Sequence, residues 1–312
     1  MCKGKQLICV KKIDVVIVTY NRLEKLKRAI NAFNCQTTLP MRIIVVNNNS
    51  NDGTTEFLEE WRKQNYCYEK VVINLSKNFG GSGGFFKGLE YALNNNAEWI
   101  WVSDDDAYPK KHAIELATNY INNHDMSNIS AICGKVIQNN SISYDHRRKV
   151  KRGLMRIKQI PLKRKNYNKD EFDIDLFTYV GTIINVDKLR QVGNVNKDLF
   201  IYYDDTEHSW RLRKVGRIVC IPRIEIIHDL KVNMINEKFS WKNYYMYRNK
   251  LYFIKNYFGS WYTVFEKFLI YLRIIKKHNH ECTKLIFKSI KDFDNKKLGV
   301  DKIYNPSWKI KK

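Results

Sequence analysis

Ile-Asp-Val-Val-Ile-Val-Thr, residues 13–19, is followed by Tyr20-Asn21-Arg22 and then by Leu23, Leu26, Ile30 and Phe33 at helical spacing. This stretch decides the fold. A β-branched run that is apolar on both faces predicts a strand inside a parallel sheet, and the stripe after it predicts an amphipathic helix. The pattern then recurs. Arg42–Val46 reads as a second strand, broken by Asn47 to Gly53, with Thr54 or Thr55 capping a helix through Trp61. Val71–Leu75 is a third strand, followed by a glycine-rich turn and a helix through Leu93, and Glu98–Ser103 is a fourth, ending on Asp104-Asp105-Asp106. Such a series predicts an open α/β sheet with right-handed crossovers, whose ligands sit at the carboxyl ends of the strands. The polar clusters of this chain fall at those ends.

The whole sequence bounds the possibilities. At 312 residues, 44% hydrophobic, it can bury a large core, and 14 glycines and 5 prolines exclude collagen-like or linker-dominated architecture. No run approaches the roughly 18 apolar residues of a membrane span; the best candidate, Trp261 to Ile275, is interrupted by Glu266, Lys267 and Arg273. No secretory leader pattern is visible. Seven scattered cysteines without a CxxC pair suggest neither a disulfide framework nor a zinc knuckle. The expectation is a cytoplasmic protein, soluble or peripheral on the inner face of the plasma membrane. Its charge is lopsided: residues 1–140 hold 17 Lys and Arg against 14 acids, and residues 141–312 hold 38 against 18. Anionic partners are therefore expected in the second half.

Beyond residue 140 the pattern changes. Residues 146–169 carry eleven Lys and Arg and no acid, which reads as a mobile basic loop. Only Tyr167 interleaves those charges with an aromatic ring, so nucleic acid is not an expected partner. Phe177–Val186 and Leu199–Tyr203 read as strands, Glu207–Val215 as a helix, and Arg217–Ile221 and Glu225–Ile227 as strands, the last ending at His228. After about residue 237 the chain looks helical, with Trp261, Val264, Phe265, Phe268, Leu269, Leu272 and Ile275 forming one stripe.

Three carboxylates at the end of a hydrophobic strand repel one another and call for a positive partner, most simply a divalent cation. In extended backbone Asp104 and Asp106 would point the same way and Asp105 elsewhere, and hard oxygen ligands suit Mg²⁺ or Mn²⁺. A solvated acidic turn is the plain alternative. Phe79-Gly80-Gly81-Ser82-Gly83-Gly84 opens a helix and reads either as a phosphate cradle or as a tight packing turn; it is no Walker loop. Asp204-Asp205-Thr206-Glu207 reads as a general base, as a helix cap, or as both. His228 reads as a structural histidine or a ligand.

In this order, these motifs resemble the inverting family-2 glycosyltransferases of the GT-A fold. The resemblance runs from Val15–Arg22 through Val46–Thr54, Asn78–Phe85 and Asp104–Asp106 to Asp204–Glu207 with Arg211 and Gly216. With Tyr247-Arg248-Asn249 and the tail Phe287–Gly299, the chain looks like the bacterial galactofuranosyl- and rhamnosyltransferase branch, which builds capsule, lipopolysaccharide or cell-wall glycans. The resemblance implies a Rossmann-like mixed sheet with a C-terminal helical extension. Residues 1–236 would be the catalytic domain, split into a nucleotide-binding half (13–107) and an acceptor half (108–236), and residues 237–312 the extension.

The resemblance also assigns roles. Thr19, Tyr20, Asn21, Arg22, Asn47, Asn49, Asp52, Asn78, Gly81, Gly83, Gly84, Asp104 and Asp105 would bind a UDP- or dTDP-linked donor. Asp104, Asp106 and His228 would hold Mn²⁺ or Mg²⁺, and Asp205 would deprotonate the acceptor hydroxyl. Trp101, Asp204, Glu207 and Arg248 would contact the acceptor, a glycan or a polyprenyl-diphosphate-linked glycan. The early first strand, without the extra N-terminal domain of the polymerising enzymes, implies addition of one or a few sugars. The basic second half and the Trp261–Ile275 helix would suit an anionic membrane; that helix could equally pack on the catalytic domain or build a homo-oligomer. The competing classes are a nucleotidyltransferase, which would want a glycine-rich basic loop where Thr19–Arg22 stands, and a nucleotide-sugar- or glycan-binding protein of the same fold without turnover.

Overall fold

The computed structural model describes residues 13–230, 239–277 and 280–308. The expected domain boundary at 236–237 lies outside them. The first half alternates strand and helix: β1 (Ile13–Thr19), α1 (Leu23–Asn34), β2 (Arg42–Asn47), α2 (Thr54–Lys63), β3 (Glu69–Asn74), α3 (Gly80–Asn94) and β4 (Trp99–Asp104). β1 is flanked by β2 and β4, both parallel to it, and β3 extends the sheet beyond β2. Every residue of β1 and β2 is buried. Val15 and Ile17 pack with α1 and α2 on one face, while Val16 and Val18 pack with α3 on the other. Two-sided burial is why these strands read as continuous apolar runs.

After β4 come β5 (Ala107–Pro109), α4 (Ala113–Asn123), β6 (Ile129–Gln138), β7 (Ser141–Ile142), β8 (Arg147–Arg152), β9 (Ile157–Pro161), β10 (Phe172–Ile174), β11 (Leu176–Phe177), β12 (Thr182–Asn185), α5 (Val186–Val192), α6 (Asp204–Val215) and β13 (Arg217–His228). β12 enters the sheet antiparallel between β4 and β6, and β13 lies parallel to β6, so the sheet is mixed, in the order β10-β13-β6-β12-β4-β1-β2-β3. The two short strands expected at 217–221 and 225–227 are one strand, irregular between Ile221 and Glu225.

The basic segment 146–169 is not a loop. β8 and β9 pair antiparallel, and β11 adds to β8, making a separate three-stranded sheet. Arg147 anchors it: its side chain is fully buried and donates to the carbonyls of Gly134 and Val180 at 2.9 and 2.7 Å. Buried carbonyls that need donors, invisible in a charge count, turn one of the eleven cations into a core residue. Residues 199–203 correct a second expectation. They form no strand: Phe200, Tyr202 and Tyr203 all have φ between +63° and +67°, a conformation that non-glycine residues rarely hold.

The C-terminal helices are α7 (Lys242–Phe258), α8 (Ser260–Lys277) and α9 (His280–Asp294). Their own core, with Tyr244, Tyr245, Leu251, Ile270, Leu285 and Ile286, reaches Phe200. The apolar stripe of α8, open at the sequence level to packing, membrane or oligomer contact, faces away from the chain's own core. Thr263, Glu266 and Ile270 are buried, while Trp261, Val264, Phe268 and Leu272 face solvent and Phe265 and Leu269 are half-buried. The buried Glu266 pairs with Lys250 of α7; the side chain of Ile275 lies outside the described residues.

Candidate functional site

A cleft of about 230 Å³ opens at the carboxyl ends of β1 and β4, lined by Thr19, Tyr20, Arg22, Asn78, Gly80, Gly81, Asp104 and Asp105. Phe200 and Ile201 wall one side, and Trp241, Lys242 and Pro306 reach in from the C-terminal region.

The aspartate cluster forms where β4 ends and the chain turns into β5. Because the backbone turns at Asp105, the alternation argument for Asp104 and Asp106 does not apply. Asp105 accepts from Thr19 Oγ1 at 2.8 Å and Arg22 Nη1 at 3.1 Å. Burial pushes its carboxyl up to about 6 against the pull of Arg22. Asp106 takes Arg22 Nη1 at 2.9 Å and Lys25 Nζ at 3.2 Å, with His228 Nε2 at 3.5 Å. Burial raises its carboxyl too, but His228, Arg22 and Lys25 outweigh that and hold it at about 2. Asp104 is pushed well above the ordinary range by burial, by Asp106 and Asp105, and further by Asp204 from across the site. Asp104 thus lies in a negative field that a cation would relieve.

The donor set of Asp104, Asp106 and His228, two carboxylates and an imidazole, fits a divalent cation by chemistry. His228 is buried with Nδ1 unpartnered and Nε2 turned to Asp106. The three are not drawn into one cage: among the described residues no group of three or more His, Cys, Asp or Glu is placed to hold a metal.

The glycine-rich segment is the first turn of α3, not a free loop. A Cβ on Gly84 would stand 3.2 Å or less from the Val18 methyls, and one on Gly83 would strike Phe79, so both are packing positions where only glycine fits. Gly80 has φ +74° and lies against the carbonyl of Phe200, which accepts from Ser82 N at 3.1 Å. Asn78 Oδ1 accepts from Gly80 N at 2.7 Å. Asn48, which sequence reasoning missed, bridges this turn to the end of β2: its amide donates to Gly80 O at 2.7 Å and accepts from Phe79 N at 2.9 Å. Its place in the Asn47-Asn48-Asn49 run was the available signal.

Asn47 is committed to the scaffold, donating to Thr55 Oγ1 and Asn74 Oδ1 and accepting from Ser50 N. Asn49 is exposed at φ +64°. Asn21 Oδ1 accepts from Asn51 N at 2.8 Å. Asp52 accepts from Leu23 N and from the Thr54 hydroxyl and N–H, so it caps the starts of α1 and α2.

Asp204 and Asp205 begin α6 directly after the left-handed turn. Asp205 Oδ1 accepts from Thr206 N at 2.5 Å. Burial raises its carboxyl against the opposing charge of Arg148. Asp204, beside Gly81, is pushed up to about 7 by burial and by Asp205. Neither aspartate is the helix cap: Tyr203 holds the N-cap position, and both lie with Glu207 in the first turn, where acidic side chains favour the helix.

Three expected acceptor contacts lie elsewhere. Trp101 is fully buried, edge-on to Phe33 at 5.8 Å, because its strand has two buried faces. Glu207 is clasped by both Arg211 Nε and Nη2 and by the Tyr257 hydroxyl. Arg248 is buried, donating to Gly299 O at 2.8 Å and Leu199 O at 3.3 Å. Its neighbour Asn249 donates to the carbonyls of Leu199, Ile201 and Tyr202. Together they hold the left-handed turn in front of Asp204. A second cleft of about 480 Å³ lies beside Tyr203, with Arg156, Lys158, Gln159 and Lys250 in its walls.

The fold is that of the GT-A glycosyltransferases. In fold it is similar to TarS of S. aureus, solved with UDP-GlcNAc (TM-score 0.60, 16% identity, 90% of this chain and 80% of that one). It is also similar to the mannosyltransferase PcManGT of Pyrobaculum calidifontis, solved with GDP-Man and Mn²⁺ (TM-score 0.54, 13% identity, 90% and 69%). Residues 14–193 match glycosyl transferase family 2, and the chain belongs to that family. Among curated relatives, it is 24% identical over 206 residues to galactofuranosyltransferase GlfT1 of Mycobacterium tuberculosis, covering 65% of each chain. It is 27% identical over 224 residues to dTDP-rhamnosyl transferase RfbF of Shigella flexneri, covering 70% of this chain and 69% of that one. The match thus spans just under two thirds of the length of the mycobacterial relative.

Proposed function

We propose that this protein transfers a sugar from a nucleotide-sugar donor to a hydroxyl of a glycan or lipid-linked glycan, with inversion, in bacterial surface polysaccharide synthesis. The observation that carries the reading is the cleft at the carboxyl ends of β1 and β4, lined by Thr19, Arg22, Gly80, Gly81, Asp104 and Asp105. Asp104 feels the charge of Asp204 at the start of α6, and the turn before α6 packs on α3 through the Gly80–Phe200 contact. The relatives' names favour UDP-galactofuranose or dTDP-rhamnose as donor.

In this reading the nucleotide lies against Thr19, Tyr20 and the Gly80–Gly81 turn. Mn²⁺ or Mg²⁺ held by Asp104, Asp106 and His228 would supply positive charge to the diphosphate. Asp205, its carboxyl raised by burial, accepts the proton of the acceptor hydroxyl as that oxygen bonds to the anomeric carbon. The bond from that carbon to the phosphate oxygen breaks on the opposite face, and the nucleoside diphosphate leaves. One base and one displacement imply inversion. The acceptor approaches along the cationic cleft beside Tyr203, which suits a diphosphate-bearing lipid at the inner leaflet of the plasma membrane.

The test is thermal unfolding with UDP, dTDP and GDP, each with Mn²⁺ and with chelator, followed by transfer assays on Asp205→Asn. Ligand at 100 times its dissociation constant adds about 2.7 kcal/mol, enough to move the melting point. A metal-dependent shift with UDP or dTDP, kept in Asp205→Asn while transfer is lost, is expected. No shift with any nucleotide would refute a donor site, and normal transfer by Asp205→Asn would remove it from the base role.

A further inference from the structure

Among the described residues, Trp261, Val264, Phe268 and Leu272 on the outward face of α8 belong to none of the buried core clusters. Trp261, Val264 and Phe268 are 62%, 66% and 53% exposed, and Leu272 continues the line. Steps of 3, 4 and 4 residues place them on one stripe of a helix about 27 Å long. The tip of the β8–β9 hairpin prolongs this stripe. Trp261 Nε1 donates to Leu154 O at 3.2 Å, and the Tyr262 hydroxyl donates to Gly153 O at 3.0 Å. That contact leaves Leu154 86% exposed and Met155 43% exposed beside the tryptophan. An apolar surface assembled from two distant segments is more than a scatter of single exposed residues.

Its rim is cationic. Lys151, Arg152 and Lys158 are exposed on the hairpin and Arg273 on α8, and Arg152 lies over the rings of Phe258 and Tyr262. The acid of α8, Glu266, points inward to Lys250. An apolar stripe carrying Trp, with Lys and Arg on its flanks, matches the headgroup boundary of an anionic bilayer. Pairing with a second copy would instead bring two such rims together on a chain of net charge +23.

We infer that the α8 face and the hairpin tip together form a docking surface for an anionic lipid bilayer. The inference gives the membrane element of the proposed function a location. It stands or falls separately from sugar transfer.

The experiment is flotation of the full-length protein with phosphatidylcholine vesicles, with and without phosphatidylglycerol, at physiological salt. Wild type floats with the anionic vesicles only. The double variant Trp261→Glu/Phe268→Glu loses about tenfold or more in binding, each of Lys151→Gln and Lys158→Gln loses about fivefold, and Leu39→Glu, a substitution at another exposed residue, binds as wild type. All variants stay folded at the assay temperature by circular dichroism, Trp261→Glu giving up only the hydrogen bond to Leu154 O. Failure of wild type to float, equal flotation with neutral vesicles, or undiminished binding by the double variant overturns the inference. So does a dimer in sedimentation that the double variant abolishes without any vesicle binding. A nucleotide-induced melting shift without flotation sinks this inference alone; flotation without any nucleotide shift sinks the donor site alone.

Discussion

Replacing Gly80 by alanine probes the joint between the two sides of the cleft. Gly80 begins α3 at φ +74°, and a Cβ there would lie 2.7 Å from the Phe200 carbonyl carbon and closer still to its oxygen. The obstacle is backbone, and it is not free to retreat. Phe200 is itself in left-handed backbone, and the carbonyls on either side of it, of Leu199 and Ile201, are held by Asn249. Two costs add. Positive φ charges a non-glycine residue about 1 kcal/mol, and forcing a methyl into a packed contact costs about 1–3 kcal/mol. Gly80→Ala should therefore lose about 2–4 kcal/mol. Gly53 supplies the control: it is left-handed at φ +86°, yet a Cβ built there meets only Leu23 Cδ2 at an ordinary 3.5 Å, so Gly53→Ala should lose only the conformational part, about 1 kcal/mol. Equilibrium urea unfolding of both variants beside wild type measures the difference. If Gly80→Ala loses no more than Gly53→Ala, the close approach of α3 to Phe200 is wrong.

Two further outcomes are expected. Arg248→Ala should lower stability by about 3 kcal/mol, because it strips the donor from Gly299 O and empties the space of a fully buried side chain; a raised acceptor KM at unchanged urea midpoint would restore its acceptor role. Asp204 should make stability pH-dependent. Its carboxyl stands at about 7 against an ordinary 3.8 because of burial and Asp205, so the fold favours the protonated form. Its contribution is whole below pH 3.8 and is lost as pH rises through about 7. Asp204→Asn should therefore gain on wild type between those values and level off above, by at most about 4 kcal/mol. Because the two carboxyls titrate together, the gain belongs to the pair. Urea unfolding at a series of pH values reads it, and a gain that shrinks with rising pH would reverse the assignment.

What the sequence by itself determined is whatever local periodicity and order encode. Ile13–Thr19, Arg42–Val46 and the stripe at Leu26, Ile30 and Phe33 declare buried parallel strands and a covering helix, since two-sided burial demands unbroken apolar runs and one-sided burial a 3.6-residue repeat. The order of the asparagine run, glycine turn, triple aspartate and Asp204-Asp205 pair was enough for the family. The rest was decided by partners far away in the chain. Arg147 reads as one cation among eleven until the carbonyls of Gly134 and Val180 claim it. Phe200–Tyr203 has strand composition, but Asn249 holds its carbonyls in a left-handed turn. Gly83 and Gly84 read as a phosphate cradle or a packing turn, and only the structure shows Phe79 and Val18 filling the space a side chain would need. The stripe of α8 reads as a packing, membrane or oligomer face alike, and only the packed structure shows Glu266 turned in to Lys250 with Trp261 and Phe268 turned out. Residue spacing specifies which side chains share a face of an element. Which face meets the core, and which carbonyl meets which donor, is settled only when the elements pack, because those energies arise between segments that local sequence does not relate.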